Sequence, residues 1–299
     1  MSAGPGTTLG VTCIAQLAAI ARDHLSAHDA EKWISQLRPG IRLAHREGHQ
    51  PVAERLGGDP CLPLGAAWPT WEGHGPLTFI ASIGCAAVST AGTLDIAFPA
   101  DGTLLFFYFD GQADDNDAMV FYADSSSQAG AAVIYVPPGT EPAQRTAPEG
   151  IEPYPVVELC AVPVATEPGW EHRRSLEAFT HGEWSAEYVA SHPTMDKAFT
   201  DAVSQATCLF AARHRIGGWA VPVQGPIEYE IAFAALGDGK QSAHAVAAEE
   251  AAWVLLAQFD SDDAANMMWG DVGTLYWMIR PEDLAARRFD KALFTWQCC

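Results

Sequence analysis

LTFIASIG (77–84) and GTLLFFY (102–108) are short runs in which branched and aromatic residues fill most places, bounded by Gly, Pro and polar residues. Their length and composition predict buried strands rather than helices or loops. Far along the chain, LLAQFD (255–260) resembles FIASIG (79–84), and GTLYWMI (273–279) shares Gly-Thr-Leu and then large apolar residues with GTLLFFY. Two readings stand. One is an internal duplication of a β-hairpin-like unit, with halves 55–165 and 215–299 about a pseudo-two-fold axis and a ligand groove between them. The other is chance similarity of two apolar strands.

Working outward, AAVIYVP (131–137), EYEIAFA (228–234), AWVLLAQFD (252–260), GTLYWMIR (273–280) and ALFTW (292–296) read as further strands. Residues 11–36 carry apolar positions at helical spacing (Ile14, Leu17, Ile20, Ala21), with Asp29 expected to cap a second turn that Pro39-Gly40 ends. Helical periodicity returns over 173–213, with Leu176, Phe179, Tyr188, Phe199, Val203 and Leu209 as expected buried positions. Pro281, followed by two acids, opens a short helix. Residues 110–130 read as an exposed loop and 137–155 as the most linker-like stretch. The organisation expected is an N-terminal helical segment, 1–40, and one domain, 41–299.

The chain has 299 residues, 17 Lys and Arg against 37 Asp and Glu, and a net charge of −20. Basic residues form no stripe of the kind that grips phosphate backbones, which sets nucleic acid aside as a partner. An acidic surface suits a basic protein partner or a cation. There is no run of about 18 apolar residues and no basic N-terminal leader, so neither a membrane span nor a signal peptide is expected. Seven cysteines at irregular spacing fit reduced thiols, and the expected place is the cytoplasm.

Gly57, Gly58, Pro60, Leu62, Pro63, Trp68, Pro69, Pro76 and Leu77 make a Gly-Gly-x-Pro turn, then Leu-Pro, Trp-Pro and Pro-Leu before the first aromatic strand. With GGWAVPVQG (217–225) and the Trp269-Gly270-Asp271-x-Gly273 block, this pattern resembles the YwqG-like family, a bacterial domain of unknown function, over roughly residues 40–299. The resemblance implies an α+β fold with mixed, mostly antiparallel sheet. It transfers no catalytic residue.

Several residues offer chemistry. Asp260, Asp262 and Asp263, with Asp271, could converge on a divalent cation, although Ala264 and Ala265 break the calcium-loop template. The bland alternative is a solvated turn. Asp271 and Trp269, flanked by glycines, could bind a ligand or close a turn. Trp68 beside proline is either a stacking platform or a core edge. His45 and His49 stand four apart, yet Glu47 is misplaced for a zinc peptidase, and His172, His181, His192 and His214 show no ligand spacing. Cys298 and Cys299 could hold a soft metal, form a redox pair or simply pack. No cofactor motif is present. Two functions remain. One is a non-catalytic binding protein, monomer or homodimer, that sequesters a protein or small-molecule partner. The other is an enzyme whose cleft has Asp260, Trp269 and Asp271 on one wall and Trp68 and Gln224 opposite, with Asp271 as candidate acid/base.

Overall fold

The computed structural model describes residues 13–113, 118–180, 185–207, 214–237 and 239–299. Leu209, His181 and Cys208 lie outside them. The aromatic runs become strands because each can bury its side chains against both faces of a curled sheet. In chain order the strands are β1 (Arg38–His45), β2 (Glu54–Leu56), β3 (Cys61–Pro63), β4 (Thr70–Trp71), β5 (Gly75–Pro76), β6 (Thr78–Gly84), β7 (Thr103–Tyr108), β8 (Ala131–Val136), β9 (Pro142–Gln144) and β10 (Val157–Thr166). They continue with β11 (Arg215–Ile216), β12 (Val254–Asp260), β13 (Thr274–Ile279) and β14 (Leu293–Gln297). Ten of them form one antiparallel sheet in the order β14-β13-β12-β11-β1-β10-β2-β6-β7-β8, and β3–β9 and β4–β5 form two small ribbons. The fold is thus α+β with mostly antiparallel sheet.

The centre of the sheet is the β1–β10 pair, in register Leu43 with Ala161 and His45 with Leu159. On one side lies a wing of β2, β6, β7 and β8, and on the other a wing of β11, β12, β13 and β14. The expected boundary at residue 40 falls inside β1. The wings curl toward each other until their inner faces meet. Phe106 of β7 packs against Phe259 and Trp277, and Tyr108 stacks on Phe294 at 4.8 Å. Nearly every inward side chain here is fully buried. The two outermost strands do not pair with each other. Instead the Gln128 side chain bridges the gap: its Nε2 donates to the Phe294 carbonyl at 3.0 Å, and its Oε1 accepts the Phe294 N–H at 2.8 Å.

Helices α1 (Ile14–His24) and α2 (Ala27–Ile34) pack through Leu17, Ala21 and Trp33 against Phe199 and Val203 of α6 (Lys197–Thr207). The cap of α2 is Ser26, whose hydroxyl accepts the Asp29 N–H, so Asp29 sits inside the first turn rather than at its start. Helices α3 (Cys85–Ala91), α4 (Arg173–Phe179) and α5 (Ala186–Ser191) connect the strands, and among the expected buried positions Leu176, Tyr188, Phe199 and Val203 are buried and Phe179 half-buried. EYEIAFA is a correction: residues Ile227–Leu236 form helix α7, not a strand. Ile227, Ile231 and Ala234 fall on one buried helical face, Pro226 precedes the first turn, and Glu228 and Glu230 suit its dipole. Gly237, at φ 71°, ends it. Helix α8 (Ala243–Glu250) follows, and α9 (Pro281–Ala285) begins at the expected proline. No helix among the described residues is long and apolar enough to cross a membrane.

Candidate functional site

Two places gather chemistry, at opposite ends of the same strands. Where β1 and β12 begin, a cavity of about 1230 Å³ opens between the end of α2, the start of α4, the loop after β11, and helices α7 and α8. A pocket of about 420 Å³ adjoins it, and the two share Glu171, His172, Trp219, Gln224 and Glu228. Trp219 forms the floor. Its Nε1 donates to the Gln36 carbonyl at 2.7 Å, the Arg38 guanidinium stacks on its ring at 4.7 Å, and His172 meets it edge-on at 4.6 Å.

Charge enters this cavity mostly in pairs. Arg38 is paired with Asp95, and Arg173 with Glu250. His172 caps α4: its Nδ1 accepts the Arg174 N–H at 3.1 Å, so the ring hydrogen is on Nε2, 3.6 Å from the Glu228 carboxylate. Burial pushes the Glu228 carboxyl up, but His172, the residue's own N–H and Arg38 together outweigh it and hold the group below the ordinary carboxylate value. Glu171 is different. Burial alone raises its carboxyl, and it meets no hydrogen-bond or ion-pair partner among the described residues.

At the other end of the strands, His45 from the end of β1, His214 just before β11 and Asp262 just past β12 bring one ligand atom each within 4.8 Å of one another. Asp262 Oδ2 lies 2.6 Å from His45 Nε2 and 3.0 Å from His214 Nε2, and Oδ1 accepts the Ala265 N–H at 3.0 Å. Burial pushes the Asp262 carboxyl up, but the bonds from His214, His45 and Ala265 prevail and hold it well below the usual carboxylate range. An ionised carboxylate only accepts, so both histidine Nε2 atoms carry hydrogens. His214 Nδ1 in turn accepts the Asp260 backbone N–H at 3.1 Å. A metal on His214 Nε2 would need that nitrogen's lone pair and a hydrogen on Nδ1, facing another donor. Metal-bound histidines use the reverse arrangement, with the far nitrogen donating. The donor set therefore fits hydrogen bonding and does not fit a metal ion.

Of the residues singled out in the sequence, His45 and Asp262 stand in the histidine cluster, the Asp260 backbone N–H bonds to it, and Gln224 lines the cavity. Trp68 donates to the Leu77 carbonyl at 2.8 Å and stands edge-on to Phe107. Asp260 is buried, its Oδ1 accepting from Thr274 at 3.0 Å. Trp269 is buried between Tyr108 and Tyr154. The Asp271 side chain is exposed, while its carbonyl accepts the Cys299 N–H at 3.0 Å. Gly273 is where a Cβ would lie 2.3 Å from the Gln297 oxygen, so the glycine is there for close approach of backbone. Asp263 is exposed, and Cys298 and Cys299 are free thiols. The sequence reading missed Glu171, Glu228, Arg38 and Trp219, and it set His172 and His214 aside for lack of ligand spacing.

A family model for a domain of unknown function, DUF1963, matches residues 54–298. The chain belongs to this family. The DUF1963 match takes in His214, Asp262 and most of the cavity lining, whereas His45 and Arg38 come from β1, which precedes it. A comparison with curated proteins gives no match.

Proposed function

We propose that this DUF1963 protein binds a small polar molecule in the cavity floored by Trp219. The observation that carries the reading is Glu171: a partly buried carboxylate facing both pockets and left unmatched where Arg38, Arg173 and His172 each have an acidic partner. It suits a ligand with a cationic amine, while the exposed Arg174, over the rim of Trp219 at 5.6 Å, suits an anionic group on the same molecule. Thermal-shift screening of small amines and amino acids tests this. A stabilising compound is expected, and Glu171→Gln should abolish its effect while leaving the unliganded melting temperature within about 2 °C. A shift that survives Glu171→Gln, or no shift from any compound, overturns the reading.

The net charge of −20 supports a second reading, a basic protein partner on the outer surface. The six cysteines of the described residues are free, which supports a reducing compartment such as the cytoplasm. We also propose that the chain is YwqG-like, that a cleft using Asp271 could serve an enzyme, and that residues 55–165 and 215–299 are duplicated halves. For the duplication the support is the matching strand order of the two wings.

A further inference from the structure

The histidine cluster plays no part in the cavity reading and stands independently of it. Asp262 is a carboxylate with a side chain only 2% exposed, His214 is wholly buried, and His45 is 43% exposed, so only one of the two rings reaches solvent. Asp262 holds that ring by Nε2 at 2.6 Å, and this leaves Nδ1 as the nitrogen with the free lone pair. His214 cannot share that role, because its Nδ1 is already occupied by the Asp260 N–H. Its Nε2–H steadies the Asp262 oxygen from the far side. We propose that His45 is a general base at this end of the sheet, acting on a water or a substrate hydroxyl, with Asp262 and His214 as positioning residues.

The proton balance is simple. Nδ1 of His45 takes the proton from the O–H group, whose oxygen keeps the electron pair of the broken bond. The imidazolium that forms remains beside the Asp262 carboxylate, which is already ionised and stays so. Two bonds from His214 and Ala265 keep that carboxylate in place without taking its charge away.

Diethyl pyrocarbonate, which acylates the unprotonated lone-pair nitrogen of imidazole, tests the proposal on the intact protein. At pH 7, His45 should be carbethoxylated at least ~10-fold faster than exposed His49, and Asp262→Asn should bring the two rates together. Nitrogen-15 NMR of the unmodified wild type, which requires no variant to fold, should show both His45 and His214 as the Nε2–H tautomer. Equal reactivity of His45 and His49 overturns the proposal. So does an Nδ1–H tautomer at His214 with stoichiometric zinc bound, which would make the cluster a metal centre.

Discussion

The two wings of the sheet run in parallel down to single hydrogen bonds, and then part at one point. Arg55-Leu56-Gly57-Gly58 leads β2 into its turn, and Arg215-Ile216-Gly217-Gly218 does the same for β11. The glycines take the same left-handed conformations, φ 62° and 73° in one wing and 62° and 71° in the other. Each arginine reaches four residues ahead to a carbonyl at 2.7 Å, Asp59 in one case and Trp219 in the other. Arg55 pairs with Ser82 as Arg215 pairs with Gln258, and Gly84 pairs with Thr103 as Asp260 pairs with Thr274. Both long strands are also irregular at the same place, before Ala81 and before Ala257. The difference lies at the strand end. In the first wing the Gly84 N–H donates to the Ala53 carbonyl; in the second the matching Asp260 N–H donates to the imidazole of His214. A side chain has taken the place of a backbone acceptor, and its other nitrogen reaches Asp262. The scaffold is common to both wings; the chemistry belongs to one.

The largest expected effect tests how deep the parallel goes. A Cβ on Gly57 would lie 2.3 Å from the Pro155 carbonyl oxygen, whereas one on Gly217 would meet the Leu94 side chain at 3.0 Å. Both positions carry the left-handed strain, but only the first meets immovable backbone. Gly57→Ala should cost about 4 kcal/mol and Gly217→Ala about half that, read by urea denaturation. Equal losses would mean that the turn conformation alone governs both.

Next comes the point of divergence. Asp262→Asn replaces an acceptor of three N–H groups and should cost about 3 kcal/mol at pH 7. The Asp262 carboxyl is held below its unfolded value of about 3.8, so its stabilisation is complete above that pH and lost as pH falls through the lower folded value. The gap between wild type and variant should therefore be flat from pH 5 to 7 and narrow as the pH is taken down to about 2. A gap that is constant throughout would show that shape rather than charge is at stake.

The smallest effect sharpens the comparison at one matched pair. Thr274 is buried and donates to Asp260, while its counterpart Thr103 is only half-buried. Thr274→Val should cost about 1–2 kcal/mol and Thr103→Val under about 0.5 kcal/mol by thermal or urea unfolding.

These contrasts explain what was legible in the sequence. The strands were, because FIASIG and LLAQFD are too short and too apolar for anything but a buried sheet. Helix α7 was not: EYEIAFA alternates like a strand, and only its packing across Ile227 and Ile231 shows the helical face. Glu171 and His172 gave no signal, since the cavity is assembled from five separate segments. His45 and His214 are distant in the chain and meet only because β1 pairs with β11, with the Leu43 N–H bonded to the His214 carbonyl. The Arg-x-Gly-Gly pair at 55 and 215 is the one mark in the sequence that locates the strand beside His214.

Gln128 has a consequence beyond closing the gap between the wings. An open outer strand offers its N–H and C=O groups to any passing chain, which is the starting template for edge-to-edge polymerisation. By occupying both groups of Phe294 with one side-chain amide, Gln128 acts as a stopper near the start of β14. One uncharged side chain thereby withdraws two backbone groups of this edge strand from pairing with another chain.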